Sequence, residues 1–408
     1  MTSSAVDSTW PGLDLRPMRP LVYRSTPARP SAAVTVGPIE AWDDHHVRDL
    51  MERRSDHVLH LVAPDGRAER SPSPGSTARA WLADTVVTRT PVSTLFAWTW
   101  EGAGHVVRGV AGAVSLPLAG ATVPHERVRA AVVDLRRRQL VQAAVQVEPI
   151  MLLHDGAALF GPRLLDQGDR VEPVFEVRGR GQRHRVWPVG GPGAERAVRQ
   201  RLASAAAPVV ADGHHRLAAL DGLVGRGWSE AMVLVIDTAT SDLTMGSVHR
   251  VVPGVDLDQV GATSGAQLTA IGAGTEADWL AAVPAGHLRW VLGDAAVLAG
   301  LDLTVEATRA ARPTAPSCGS PVALDTCHLH SHLLPAWQVD EQDVGYVHDW
   351  PRAKRLASAR HGLAVRTAAP ALSDVVDVAR GGHLLPHKAT SIGPKPRIGM
   401  LMLPAFSA

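Results

Sequence analysis

Apolar residues fall into short runs separated by turn residues, and the period of each run sets the expected element. Val58–Val62 (V-L-H-L-V) reads as a buried strand ahead of the Pro64-Asp65-Gly66 turn, and Ser71–Gly75 (S-P-S-P-G) as a loop. Val92–Trp100 and Val106–Leu116 are β-rich runs around Glu101-Gly102-Ala103-Gly104, the pattern of a hairpin. From Pro124 the texture changes. Between Glu126 and Gln146, Val128, Val132, Leu135, Val141 and Val145 recur at helical spacing with arginines on the other face. Strands are expected at Ile150–Leu153, Val209–Ala211 and Met232–Ile236, helices at Ala194–Ala206 and Leu217–Val224, and a polar turn at Gly179–Arg185.

Further along, residues 254–274 are rich in Gly, Ala and Thr and read as a lobe boundary, and 308–321 as a proline-bearing linker. The last lobe mixes helices (Asp325–Leu334, Pro351–His361, Leu372–Ala379) with strands (Leu363–Thr367, Ile398–Leu403). Leu21–Tyr23 reads as a strand in an otherwise proline-rich lead-in. The expectation is a mixed α/β protein with three lobes: a β-rich one over 1–120, a core over 121–253 and an α/β lobe over 275–408.

Composition narrows the function. With 41 Lys+Arg against 40 Asp+Glu, the net charge is +1, without the basic excess of a dedicated nucleic-acid binder. The longest uncharged apolar run, Gly109–Pro124, is interrupted by Pro117 and too short for a membrane span. The first twenty residues lack the pattern of a secretory signal, so a cytoplasmic location is expected. Cys318 and Cys327 are too few for a disulfide scaffold. Only Lys354, Lys388 and Lys395 are lysines among many arginines, so a lysine here invites a reading as a chosen point charge.

The sharpest candidate chemistry is Asp212-Gly213-His214-His215-Arg216, placed between a short strand and a helix. A glycine there lets the backbone approach a ligand, and the following helix start favours anions. His214, His215 and Arg216 add donors suited to phosphate oxygens, and Asp212 is a candidate Mg²⁺ ligand or helix cap. Three lesser motifs accompany it: Pro124-His125-Glu126, Ser247-Val248-His249-Arg250, and Pro386-His387-Lys388-Ala389-Thr390 with Pro394-Lys395-Pro396. Cys327, His328, His330 and His332 form a competing metal-ligand pattern, although alternate residues on a helix point in different directions. Asp43-Asp44-His45-His46 and His154-Asp155 read as solvated.

Taken in order, these motifs resemble those of the bacterial family called domain of unknown function 1015, itself related to ParB/sulfiredoxin-like free-serine kinases. The matching pieces are His125-Glu126, Pro149-Ile150, Ala211–Arg216, Val248-His249-Arg250, and Pro386–Thr390 with Pro394-Lys395. The chain departs from the family pattern in three places. Arg127-Val128 follow the His-Glu pair where a threonine is usual, Ala389 replaces a serine, and Ser391-Ile392-Gly393 replace aromatics.

The resemblance implies a ParB/sulfiredoxin-like core with additional mixed lobes, and Mg²⁺-dependent phosphoryl transfer to a hydroxyl of free L-serine or a serine-like metabolite. Glu126, Asp212 and His215 would be catalytic, with Glu126 as the base and Asp212 on the metal. Gly213, His214, Arg216, His249, Arg250, Lys388, Thr390 and Lys395 would hold the donor, a nucleotide or pyrophosphate. A non-catalytic nucleotide- or phosphate-binding switch, and a phosphatase or hydrolase at the same site, are the alternatives. The expected partner is a small molecule, with no nucleic acid and no membrane.

Overall fold

Strands whose residues are nearly all apolar need cover on both faces, and the central strands here read that way. In the computed structural model, which describes residues 12–38, 44–62, 73–154, 171–179, 181–264, 267–304 and 324–405, they build two separate sheets in a mixed α/β chain. The chain divides into two units. The first takes 1–124, 128–243 and 394–408, and the second takes 125–127 and 244–393. The turn at 64–66, residues Asp43, Asp155 and Cys318, and the linker at 308–321 lie outside the described residues.

In the first unit the expected hairpin forms β1 (Phe96–Gly102) and β2 (His105–Ser115). Ala103 and Gly104 turn the chain with φ of 52° and 80°, the two positive angles that a tight hairpin turn requires. The sheet continues with β3 (Ile150–His154), β4 (Phe175–Gly179), β5 (Gln182–Pro188), β6 (Val209–Asp212) and β7 (Glu230–Asp237). Strand order is β4-β5-β1-β2-β7-β3-β6. Only β7–β3 is parallel. This sheet takes strands from both of the first two expected lobes, because the apolar edge of the hairpin pairs with β7.

Helices α1 (Ala130–Ala143), α2 (Gly191–Ser204) and α3 (His214–Asp221) cover one face. They bury Val133, Leu140, Val198, Leu202 and Leu220 against Ala97, Val110, Ile150, Leu152 and Val233. Complete burial of an aliphatic side chain contributes about 1.5–3 kcal/mol, so this layer is the main support of the loop that β6 feeds into α3.

The second unit is a six-stranded antiparallel sheet of β8 (His249–Val252), β9 (Gln267–Ala270), β10 (His287–Gly293), β11 (Leu298–Thr304), β12 (Gly345–Val347) and β13 (Leu363–Arg366). Their order is β9-β11-β10-β13-β8-β12. Helices α4 (Trp350–Ala359) and α5 (Leu372–Arg380) also belong to this unit. The stretch 254–274 contributes helix Leu257–Ser264 and β9 to it rather than marking a boundary.

Several elements differ from the sequence expectation. Val58–Val62 is not a strand; Leu59–Val62 forms one helical turn, since a five-residue apolar run does not distinguish the two. Ser73 in the expected 71–75 loop caps a helix over Pro74–Ala83. The expected turn at 179–185 is mostly hairpin strand. Ile398–Leu403 pairs only through single bridges at Ile398 and Met402 before a short ladder at Leu403–Pro404. Glu126 does not open a helix. Residues 125–127 are held extended by Leu385, which donates its N–H to His125 O at 2.7 Å and accepts from Arg127 N at 2.9 Å. Helix α1 therefore starts only at Ala130. Among the described residues no helix is long and apolar enough to cross a membrane.

Candidate functional site

The strand-to-helix turn after β6 is built around Gly213, whose φ of 96° lies in the left-handed region. A Cβ at this position would come within 3.2 Å of the Arg216 guanidinium and 3.3 Å of Ile150 Cδ1. The angle favours glycine, and a Cβ would press the Arg216 guanidinium and Ile150 aside by a few tenths of an ångström.

Asp212 sits between two cations. Its Oδ2 accepts from Arg216 Nη2 at 2.5 Å, and its Oδ1 lies 2.6 Å from Lys395 Nζ. Arg216 also donates through Nη1 to the carbonyls of Glu148 (3.0 Å) and Pro149 (2.8 Å), with Glu148 Oε2 at 3.2 Å. The fork thereby ties the loop to the Glu148-Pro149-Ile150 segment that starts β3. All four side chains are largely buried, the most exposed being Glu148 at 19%. Burial raises the Glu148 carboxyl above the usual range, against the pull of Arg216. Beside this cluster lies a small recess of about 40 Å³, lined by Glu148, Arg216, Arg136 and Gln139 and walled by Leu140 and Val147.

His214 is buried. His215 Nε2 accepts from Arg129 N at 3.0 Å, which places the ring proton on Nδ1 and anchors the start of α1. Asp212 and Glu148 offer the carboxylate oxygens that Mg²⁺ prefers, so the donor set fits that ion in kind. Both Asp212 oxygens are engaged by cations, however, and a divalent ion there has to displace Lys395 or share its oxygen.

In the second unit His125 Nε2 and Thr390 Oγ1 are 2.8 Å apart and both groups are buried. Glu126, 8% exposed, has its Oε1 3.8 Å from His387 Nδ1, and the His387 ring meets Tyr346 edge-on at 5.1 Å. His249 packs edge-on against Trp350 at 5.3 Å, and burial depresses its imidazole to about 4. Arg250 is fully buried and donates to Val248 O, His330 Nε2, Thr367 Oγ1 and Lys388 O. Lys388 holds a positive φ of 57°. Ala389, in place of the family serine, is buried in an apolar cluster with Val375, Val378 and Leu385.

The first unit therefore collects Asp212, Gly213, His214, His215, Arg216 and Lys395, and the second collects Glu126, His249, Arg250, Lys388 and Thr390. Sequence reasoning missed Glu148 and Tyr346, and gave no role to His387 inside the Pro386–Thr390 motif. A carboxylate directly before Pro149-Ile150 was the available signal for Glu148. Tyr346 lies in no motif and is found only by folding. The histidine run splits as helical geometry requires. His328 and His332 stack at 4.4 Å, whereas His330 turns to Arg250. Cys327 is in a disulfide and does not offer a thiolate. Among the described residues no group of three or more His, Cys, Asp or Glu side chains is arranged to hold a metal.

These features define an α/β protein with a glycine turn and a buried charge cluster at the start of a helix. The family model described as "Protein of unknown function (DUF1015)" matches residues 15–278, more than half of the chain, and the chain belongs to that family. Among curated proteins no sequence matches. Solved structures similar to it include a conserved hypothetical protein from Pyrococcus furiosus (13% identity, TM-score 0.39, 71% of this chain and 93% of that one). A free serine kinase in complex with AMP is similar at 14% identity (TM-score 0.39, 71% and 91%). SbnI with a C-terminal truncation, from Staphylococcus aureus, is similar at 11% identity (TM-score 0.40, 72% and 87%).

Proposed function

We propose that the protein is a phosphotransferase that moves a phosphoryl group from a nucleotide or pyrophosphate to the hydroxyl of free L-serine or a serine-like metabolite. The observation that carries this reading is the Asp212–Arg216 turn. A left-handed glycine opens a helix of eight residues, and Lys395 and Arg216 flank it on a shared carboxylate. Helix-start N–H groups and two cations are what a phosphate needs.

In this reading the donor-phosphate residues are the Gly213 N–H, His214 and Lys395, with Arg216 holding the turn in shape. Asp212 is the residue that would hold Mg²⁺, which when bound neutralises phosphate charge. His215 orients the turn through its bond to Arg129. Glu126 is proposed as the base that takes the proton from the acceptor hydroxyl. Its low exposure and the nearby His387 favour a held, directional carboxylate over a solvated one. Lys388 and Thr390 are assigned to the donor, while His249 and Arg250, both buried, act through the groups they support.

The test is to mix the protein with serine, Mg²⁺ and, in turn, ATP, ADP or pyrophosphate, and to follow phosphorus by NMR. Phosphoserine supports the reading. Binding without product points to a switch, and release of phosphate alone points to a hydrolase; either result overturns the kinase.

A further inference from the structure

His330 belongs to the histidine run whose spacing invites a metal, yet the fold gives it another task. It lies on a five-residue π-helical segment, Leu329–Leu333, flanked by helix on both sides. Such a widened turn re-aims the side chains it carries and recurs at functional positions. His330 is 7% exposed, and its ring stacks over Tyr346 at 6.4 Å.

Its two nitrogens face opposite partners. Nε2 is 3.3 Å from Arg250 Nε, and Nδ1 is 3.0 Å from Glu341 Oε1. A guanidinium can only donate, so Nε2 must accept. The ring proton therefore sits on Nδ1 and is donated to Glu341. Burial keeps the imidazole below its ordinary value, against the pull of Glu341, which agrees with a neutral ring.

Arg250 passes this orientation on. It is fully buried, lies over the Tyr346 ring at 5.7 Å, and donates from Nη2 to Lys388 O at 3.2 Å. Lys388 needs that hold. Its φ of 57° is a conformation a lysine keeps only where its surroundings impose it, and in the same turn Ala389 N donates to Pro386 O at 3.2 Å.

We propose that His330 and Glu341 are positioning residues: through Arg250 they fix the backbone of Lys388, and so the course of its side chain. The proposal rests on the reading of Lys388 as a donor-phosphate residue. The strut itself, however, is measurable without any activity.

The experiment has two parts. In the unaltered chain labelled with ¹⁵N-histidine, NMR should show His330 with Nδ1 protonated and Nε2 bare; the opposite tautomer overturns the proposal. Amide hydrogen exchange at Ala389 is then compared in His330→Leu and His330→Gln. Leucine should speed exchange by about tenfold or more, as loss of one buried hydrogen bond does. Glutamine keeps an acceptor and should restore most of the protection. Unchanged exchange in the leucine variant overturns the strut. If that variant does not fold, the tautomer in the unaltered chain and exchange in Glu341→Gln decide. Calorimetry with ATP and with pyrophosphate separates the two readings. If the unaltered protein binds neither, the donor role of Lys388 fails, while the exchange data still settle the strut.

Discussion

Replacing Asp212 by asparagine and Lys395 by methionine should move stability in the same direction and anion affinity in opposite directions. Asp212 is the carboxylate shared by Arg216 and Lys395, whose side chains are 12% and 13% exposed. Removing one partner of a buried pair costs about 3–5 kcal/mol because the other charge is stranded, and the residual exposure places this case at about 3. Lys395→Met leaves the Arg216–Asp212 pair intact, so its cost is smaller, about 1 kcal/mol. For metal-free pyrophosphate the order reverses. Losing the ammonium should weaken binding by about 1.5–3 kcal/mol, roughly ten- to hundred-fold, whereas losing the carboxylate removes a competing anion and should tighten it. Thermal melts give the first comparison and calorimetry in EDTA the second. Repeating the calorimetry in Mg²⁺ isolates the metal role of Asp212, since the asparagine variant should lose any gain that Mg²⁺ brings. If neither variant changes affinity for any phosphate donor, the turn is not a phosphate site.

Three other expectations follow from the same geometry. Glu126→Gln should lower transfer by about 10²–10⁴-fold while donor affinity is kept; transfer at the normal rate excludes Glu126 as the base. Ala389→Ser, which restores the family residue, should lower stability by about 1–3 kcal/mol in a denaturant melt, because the hydroxyl enters the Val375–Val378–Leu385 cluster; an unchanged midpoint shows that the cluster accommodates it. The buried imidazoles of His57, His249 and His328 are depressed by burial to about 4, and that of His184 to about 3. Their folded values lie below the ordinary 6.5, so between pH 6.5 and about 4 the unfolded chain binds more protons. Stability should then fall with pH by roughly 1.4 kcal/mol per unit for each histidine. A flat stability profile from pH 6.5 to 5 would show that these rings are hydrated.

The sequence alone determined the local elements with a strong period or punctuation: the β1–β2 hairpin around Ala103-Gly104, the buried strand β7, and the strand–glycine–helix turn at Asp212–Arg216. These depend on neighbours within a few residues, and the chemistry of each is written in the run itself. It was also enough to identify the ordered motifs of the family. Tertiary structure decided the rest. Glu126 looked like the first residue of a helix, but pairing with Leu385, 259 positions away, keeps it extended. Arg216 reaches back to Glu148 because the sheet brings the start of β3 beside the end of β6, and Lys395 meets Asp212 on a C-terminal segment that bonds to Val36 and Val147 through Ile398 and Gly399. His330 became a partner of Arg250, not a metal ligand, through a π-helical turn that hydrophobic periodicity does not encode. Ion pairs and buried hydrogen bonds form between groups that are far apart in the chain, so their partners are set by packing and remain hidden in the order of residues.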